Sequence, residues 1–156
     1  ELDGFLSKLA EKPDILLMNN DMLTKTRAAA RRAGFYERSV DGFGRTVEKY
    51  NGIPMMDAGQ YYNGSATVDV IETSTPSTSA YGETDIYAVK LGLNAFHGIS
   101  VDGSKMIHTY LPDLQAPGAV KKGEVELLAG AVLKNSQMAG RLKGIKVKPK
   151  AAASGG

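Results

Sequence analysis

The sequence predicts an α+β domain built on a mixed, mostly antiparallel sheet with flanking helices. Three observations lead there. A single strand–cap–helix unit occupies residues 14–33. Short strand patterns follow it with few helical stretches between them. An Asn51-Gly52 pair joins two of those strands, a pairing that marks a tight antiparallel hairpin.

The elements follow in order. Leu2, Phe5, Leu6 and Leu9 share one face at helical spacing, so residues 2–10 read as a helix that Pro13 ends. Asp14–Met18 is an apolar run of strand length. Asn19 or Asn20 caps the next helix, Asp21–Ala33, whose Ala28–Ala30 run and basic residues give it high propensity. Gly34 suits the left-handed residue after its end, with Phe35 supplying the apolar contact that follows. Thr46–Tyr50 and Ile53–Met56 form the hairpin. From Asp57 to about Glu83 hydrophobicity is low, with 65–74 as the strand-like piece, Asn63-Gly64-Ser65 as a turn and 74–79 as a polar loop. Thr84–Leu91, Met106–Leu111 and Val125–Leu133 read as strands, with Pro112 and Pro117 bracketing a loop. Leu93–Ile99 fits either state. Asn135–Lys143 reads as one or two helical turns capped by Asn135 or Ser136. The expected core comprises Ile15, Leu17, Leu23, Ile53, Ile86, Tyr87, Val89, Leu127, Ala129 and Val132.

Length and composition set the frame. A chain of 156 residues suits one domain, 1–148, with 149–156 as a linker-like tail. It can bury roughly 70% of its unfolded surface without a staple. It has no Cys, and its two histidines, His97 and His108, stand at no metal-ligand spacing, so both read as structural. No apolar run is long enough for a membrane-spanning helix. The first residues do not have the pattern of a signal peptide. A start at Glu1 suggests a processed, truncated or tagged product. The strand–helix unit lacks the glycines of a phosphate loop. Asp41 and Asp57 sit beside glycines as turn caps do. The serines at 74–79 lack the Gly-x-Ser-x-Gly elbow. Tyr61 and Tyr62 point to opposite strand faces, so at most one enters a core. No enzyme, cofactor or metal site is expected.

Charge is segregated along the chain. Residues 41–118 hold nine acidic and four basic side chains, and residues 119–156 hold two acidic and eight basic ones. Such polarity suits head-to-tail packing of identical copies. A solvated lysine-rich tail explains it equally well. Nucleic-acid binding explains it less well, because no aromatics interleave the basic stretch.

Four stretches in order resemble the major capsid proteins of tailed bacteriophages, the Hong Kong 97-like capsid family. They are KPDILLMNNDMLTKTRAAARRAG (12–34), DGFGRTVEKYNGIPMM (41–56), TDIYAVKLG (84–92) and LLAGAVLKNSQMAGRLKGI (127–145). The resemblance implies the axial domain, which packs around five- and six-fold centres, with pieces of the peripheral domain. The amino-terminal arm, extended hairpin loop and long spine helix of full-length relatives are not evident. It also implies a shell protein that self-associates into pentamers and hexamers of an icosahedral head enclosing double-stranded DNA. Its expected place is the virion, after assembly in the host cytoplasm. Scaffold and portal proteins are the implied partners, DNA contact is non-specific, and no membrane is involved. Arg141, Lys143 and Lys146 are the candidate subunit contacts. The alternatives are an encapsulin-like compartment shell and a small α+β ligand-binding domain or enzyme.

Overall fold

The computed structural model describes residues 1–34, 36–40, 42, 44, 46–76, 81–101, 106–112 and 118–149. The expectations for Phe35, Asp41 and Pro117 lie outside these residues, as do the end of the 74–79 loop and the tail beyond Pro149. The elements are α1 (Leu2–Leu6), β1 (Ile15–Met18), α2 (Asn20–Ala33), β2 (Tyr36–Val40), β3 (Thr46–Tyr50), β4 (Ile53–Asp57), β5 (Gln60–Tyr62), β6 (Thr67–Asp69), β7 (Tyr81–Val89), β8 (Phe96–Ser100), β9 (Ile107–Tyr110), β10 (Glu124–Leu127), β11 (Ala129–Leu133), a 3-10 turn (Ser136–Met138) and β12 (Ala139–Pro149).

Six strands form the main sheet in the order β12-β7-β1-β4-β3-β2. Only β1 and β4 run parallel; every other pairing in it is antiparallel. The mixed, mostly antiparallel sheet is therefore as expected. Helices α1 and α2 lie on one face, against Leu16, Met18, Ile53, Met55, Ile86 and Ala88. Three two-stranded sheets stand outside it: β5 with β6, β8 with β11, and β9 with β10.

Local chemistry sets the boundaries of α2. The Asn19 side chain accepts a hydrogen bond from Met22 N–H at 2.9 Å, satisfying one of the free donors of the first turn. Gly34 ends the helix at φ +75°, a conformation glycine adopts without steric cost. Asn51 and Gly52 take φ +49° and +71°, as a type I′ turn requires. Asn63 Oδ1 accepts from the N–H groups of Ser65 and Ala66, closing the turn between β5 and β6.

Several expectations are corrected. Helix α1 stops at Leu6, and Leu9 packs on the core from the turn beyond it. Strand β2 lies where no strand was expected. In β1 the expected side is reversed, with Leu16 and Met18 buried under the helices and Ile15 and Leu17 half-buried on the opposite face. In β7 Ile86 is buried as expected, together with Ala88, while Tyr87 and Val89 are half-buried on the opposite face. Leu23 and Ile53 are core residues as expected. Leu127 and Ala129 are exposed and Val132 is half-buried. The expected strand 125–133 is broken at Leu128 into β10 and β11, which pair with different partners. The expected helix at 135–143 is a single 3-10 turn, capped by Asn135, that leads into the edge strand β12.

An ion-paired cluster ties α2 to β3. Glu48 accepts hydrogen bonds from Arg27 and from the Tyr36 hydroxyl. Burial acts to raise its pKa. The two hydrogen bonds and the charges of Arg27 and Arg38 outweigh that and hold it below the usual range. A depressed carboxylate contributes stability above its unfolded-state pKa, and this is lost as pH falls through the folded-state value. Glu48→Gln should therefore melt lower than the parent at neutral pH. Its melting temperature should also fall less on acidification to about pH 3. A parallel pH profile in thermal melts would contradict this.

Asn19 is 1% exposed, and its amide also donates to Thr73 Oγ1 at 2.9 Å and Thr84 Oγ1 at 3.1 Å. Asn19→Ala should cost about 2 kcal/mol or more, from a lost cap and the loss of the hydrogen bonds to the Thr73 and Thr84 hydroxyls. Asn20→Ala, at an exposed position, should fall within about 0.5 kcal/mol of the parent. Urea unfolding of the two variants measures the contrast.

Candidate assembly surface

Strand β12 carries all three candidate contact residues and forms an edge of the main sheet. Its seat is set by glycine. A Cβ on Gly140 would lie 2.8 Å from Phe5 Cε2 and 3.0 Å from Leu9 Cδ2, so any other residue there would push these side chains of the amino-terminal segment aside. The Ala10 N–H donates to the Gln137 carbonyl at 3.1 Å and fastens the same contact.

Beyond Gly140 the strand is irregular. Its register against β7 shifts between Leu142 and Ile145 and again between Lys146 and Pro149. At the first shift Gly144 has φ +67°, and its N–H donates to Asp85 Oδ1 at 3.0 Å. The extra residue is a β-bulge, which bends the strand and breaks the flat row of edge groups another strand would pair with.

The three candidates have different environments. Arg141 donates from Nε at 2.9 Å and Nη2 at 2.5 Å to Asp85 Oδ2, and its guanidinium lies 5.5 Å from the centre of the Tyr87 ring. The Asp85 hydrogen bond is the main influence holding its pKa above the ordinary arginine value. Lys146 sits over the Tyr81 ring at 5.6 Å, and its carbonyl accepts a hydrogen bond from Lys25. Lys143 lies in the bulge, exposed, with no ion pair among the described residues. The structure thus gathers the three on one strand, with Arg141 bound to its own sheet and Lys143 facing solvent.

A second surface was not singled out from the sequence. Strands β9 and β10 pair as Ile107↔Leu127, His108↔Glu126, Thr109↔Val125 and Tyr110↔Glu124. Paired residues share a face, so one side of this ribbon carries Ile107, Thr109, Val125 and Leu127 and the other carries His108, Tyr110, Glu124 and Glu126. The ribbon is amphipathic, yet Ile107, Val125 and Leu127 are 51%, 72% and 61% exposed. The signal was present as alternation in IHTY and EVEL. Only the register shows that the two alternations coincide.

Other site chemistry is sparse. A cleft beside β12 collects Glu72, Glu83, Asp85 and Arg141, with Asp85 committed to Arg141 and Gly144. Asp57 Oδ1 accepts from Gly59 N–H at 3.0 Å, the turn-cap role expected of it. His97 and His108 lie in β8 and β9. Among the described residues no three His, Asp or Glu side chains group at metal-binding geometry, and no helix is long and apolar enough to cross a membrane.

Lys143→Glu with Lys146→Glu should leave the melting temperature within a few degrees of the parent, because both side chains are exposed. Arg141→Ala should lower it, because the half-buried Asp85 loses both guanidinium hydrogen bonds and keeps the Gly144 N–H. Thermal melts that reverse this order would show that the bulge, and not the Asp85 pair, holds the strand.

No protein-family model matches the chain, and no curated protein matches it by sequence. Four solved chains match its structure. One is the SrpI encapsulin of Synechococcus elongatus, solved as a holo complex by cryo-electron microscopy. It superposes with a TM-score of 0.66 at 15% identity, over 94% of this chain and 49% of that one. The chain therefore spans about half the length of the solved protein it matches. The likeness establishes a Hong Kong 97-like fold for this chain, in agreement with the fold that the four sequence stretches imply.

Proposed function

We propose that this chain is a shell-forming subunit, or the axial part of one, that acts by associating with copies of itself around five- and six-fold centres. The observation that carries the reading is the superposition of 94% of the chain on an encapsulin subunit. The charge segregation and the uncovered apolar face of the β9–β10 ribbon support it, since both suit a surface completed by neighbours. In this reading Lys143 and Lys146 face an acidic neighbour, and Arg141 holds the strand that presents them.

Within that class, the four capsid-like sequence stretches favour a tailed-phage head enclosing double-stranded DNA, assembled in the host cytoplasm with scaffold and portal partners. The structural match favours a second reading, an encapsulin-like compartment. Neither reading gives the chain a catalytic role of its own.

Light scattering across a concentration series tests the shared part. The mass should rise above the 16.6 kDa monomer as concentration increases, and fall back with added salt in proportion to the charged contribution. Negative-stain images should then show rings or curved sheets. A strict monomer up to the millimolar range would refute self-association. In full-length particles, packaged nucleic acid supports the phage reading and a protein cargo supports the compartment reading.

A further inference from the structure

We infer that the apolar face of the β9–β10 ribbon docks on the β5–β6 hairpin of a second copy of this chain, with the ribbon's lysine-bearing end against that copy's carboxylates. The inference rests on the self-association reading above and names the contact that would deliver it.

The hairpin has the complementary character. Tyr61 pairs with Val68, and Val70 N–H bonds Gly59 two positions further along, so Tyr61, Val68 and Val70 share one face. Tyr61 and Val70 are 50% and 54% exposed there. This is a second small amphipathic sheet with its apolar side open. Two-stranded sheets of this size are marginal by themselves and gain stability when that side is covered.

Charge selects which surface meets which. From Tyr50 to Val89 the chain holds five carboxylates, Asp57, Asp69, Glu72, Glu83 and Asp85, and no Lys or Arg. Asp57 and Glu72 flank the hairpin and are exposed. The ribbon enters β10 through Lys121 and Lys122, and Lys122 is exposed. Its own acids, Glu124 and Glu126, lie on the opposite face and point away from the proposed contact. A second ribbon would offer these lysines no carboxylate on its apolar face. A ribbon meeting a hairpin sets them against Asp57 and Glu72. Each copy offers one surface of each kind, so the contact is heterologous and closes into a ring when the rotation fits.

The absence of cysteine makes the test clean. Full-length Leu127→Cys and Tyr61→Cys chains are mixed and treated with a short bis-maleimide, with light scattering run in parallel. The expected product is the 127–61 heterodimer, in severalfold excess over either homodimer. Lys122→Glu in the Leu127→Cys chain should cut its yield severalfold, and Glu72→Lys in the Tyr61→Cys chain should restore it. Association with mainly 127–127 links, or with neither position linked, overturns this contact and leaves the self-association reading standing. A strict monomer by scattering overturns both.

Discussion

The buried amide of Asn19 is the constraint on which the main layer depends. Its oxygen caps α2, and its nitrogen reaches Thr73 and Thr84 at 2.9 and 3.1 Å. Thr84 in turn donates to the Glu72 carbonyl at 3.1 Å. A buried polar side chain is tolerable only when its groups are paired, and here the pairing fixes four pieces of chain against one another. The end of β1, the start of α2, the segment at 72–73 and strand β7 must all be in place before the amide is satisfied. That requirement sets the crossing of helix on sheet more tightly than apolar contact alone, which is non-directional.

Strand β7 carries the consequence outward. It pairs with β1 on one side and β12 on the other, so the carboxy-terminal strand is held by an element whose position Asn19 already determines. Asp85 on β7 then dictates the irregularity of β12, receiving both the Arg141 guanidinium and the Gly144 N–H. The bulge at Gly144 leaves Lys143 facing solvent. Folding and presentation are thus divided between neighbours: one basic residue is used inside the sheet and another is left on its edge.

The ribbon beyond residue 91 obeys a different balance. Among the described residues it has no helix over it and contributes no residue to the cluster under α1 and α2. Its apolar positions match across the pair, which is the pattern of a sheet with one buried side. The single chain leaves that side in water. Among the described residues the helix-covered sheet closes its own core, and the ribbon keeps its apolar side exposed.

The sequence by itself determined what depends on neighbours in the chain. The Asn19 cap, the Gly34 stop and the Asn51-Gly52 turn are local backbone chemistry, legible from residue type. So were the mixed α+β class and, through four dispersed stretches, the fold family. Tertiary structure alone decided what depends on partners far away in the chain. ILLM is apolar at every position, so it holds no information on which side faces α2; the pairing with β4 and β7 chose Leu16 and Met18. Leu142 and Ile145 are three residues apart, a spacing that imitates a helix. The bulge at Gly144 produces the same spacing in a strand, because the inserted residue shifts the alternation by one. Val125, Leu127 and Val132 look like core residues in a window of sequence. Burial is a property of the opposite surface, and for the ribbon that surface is not among the described residues of this chain.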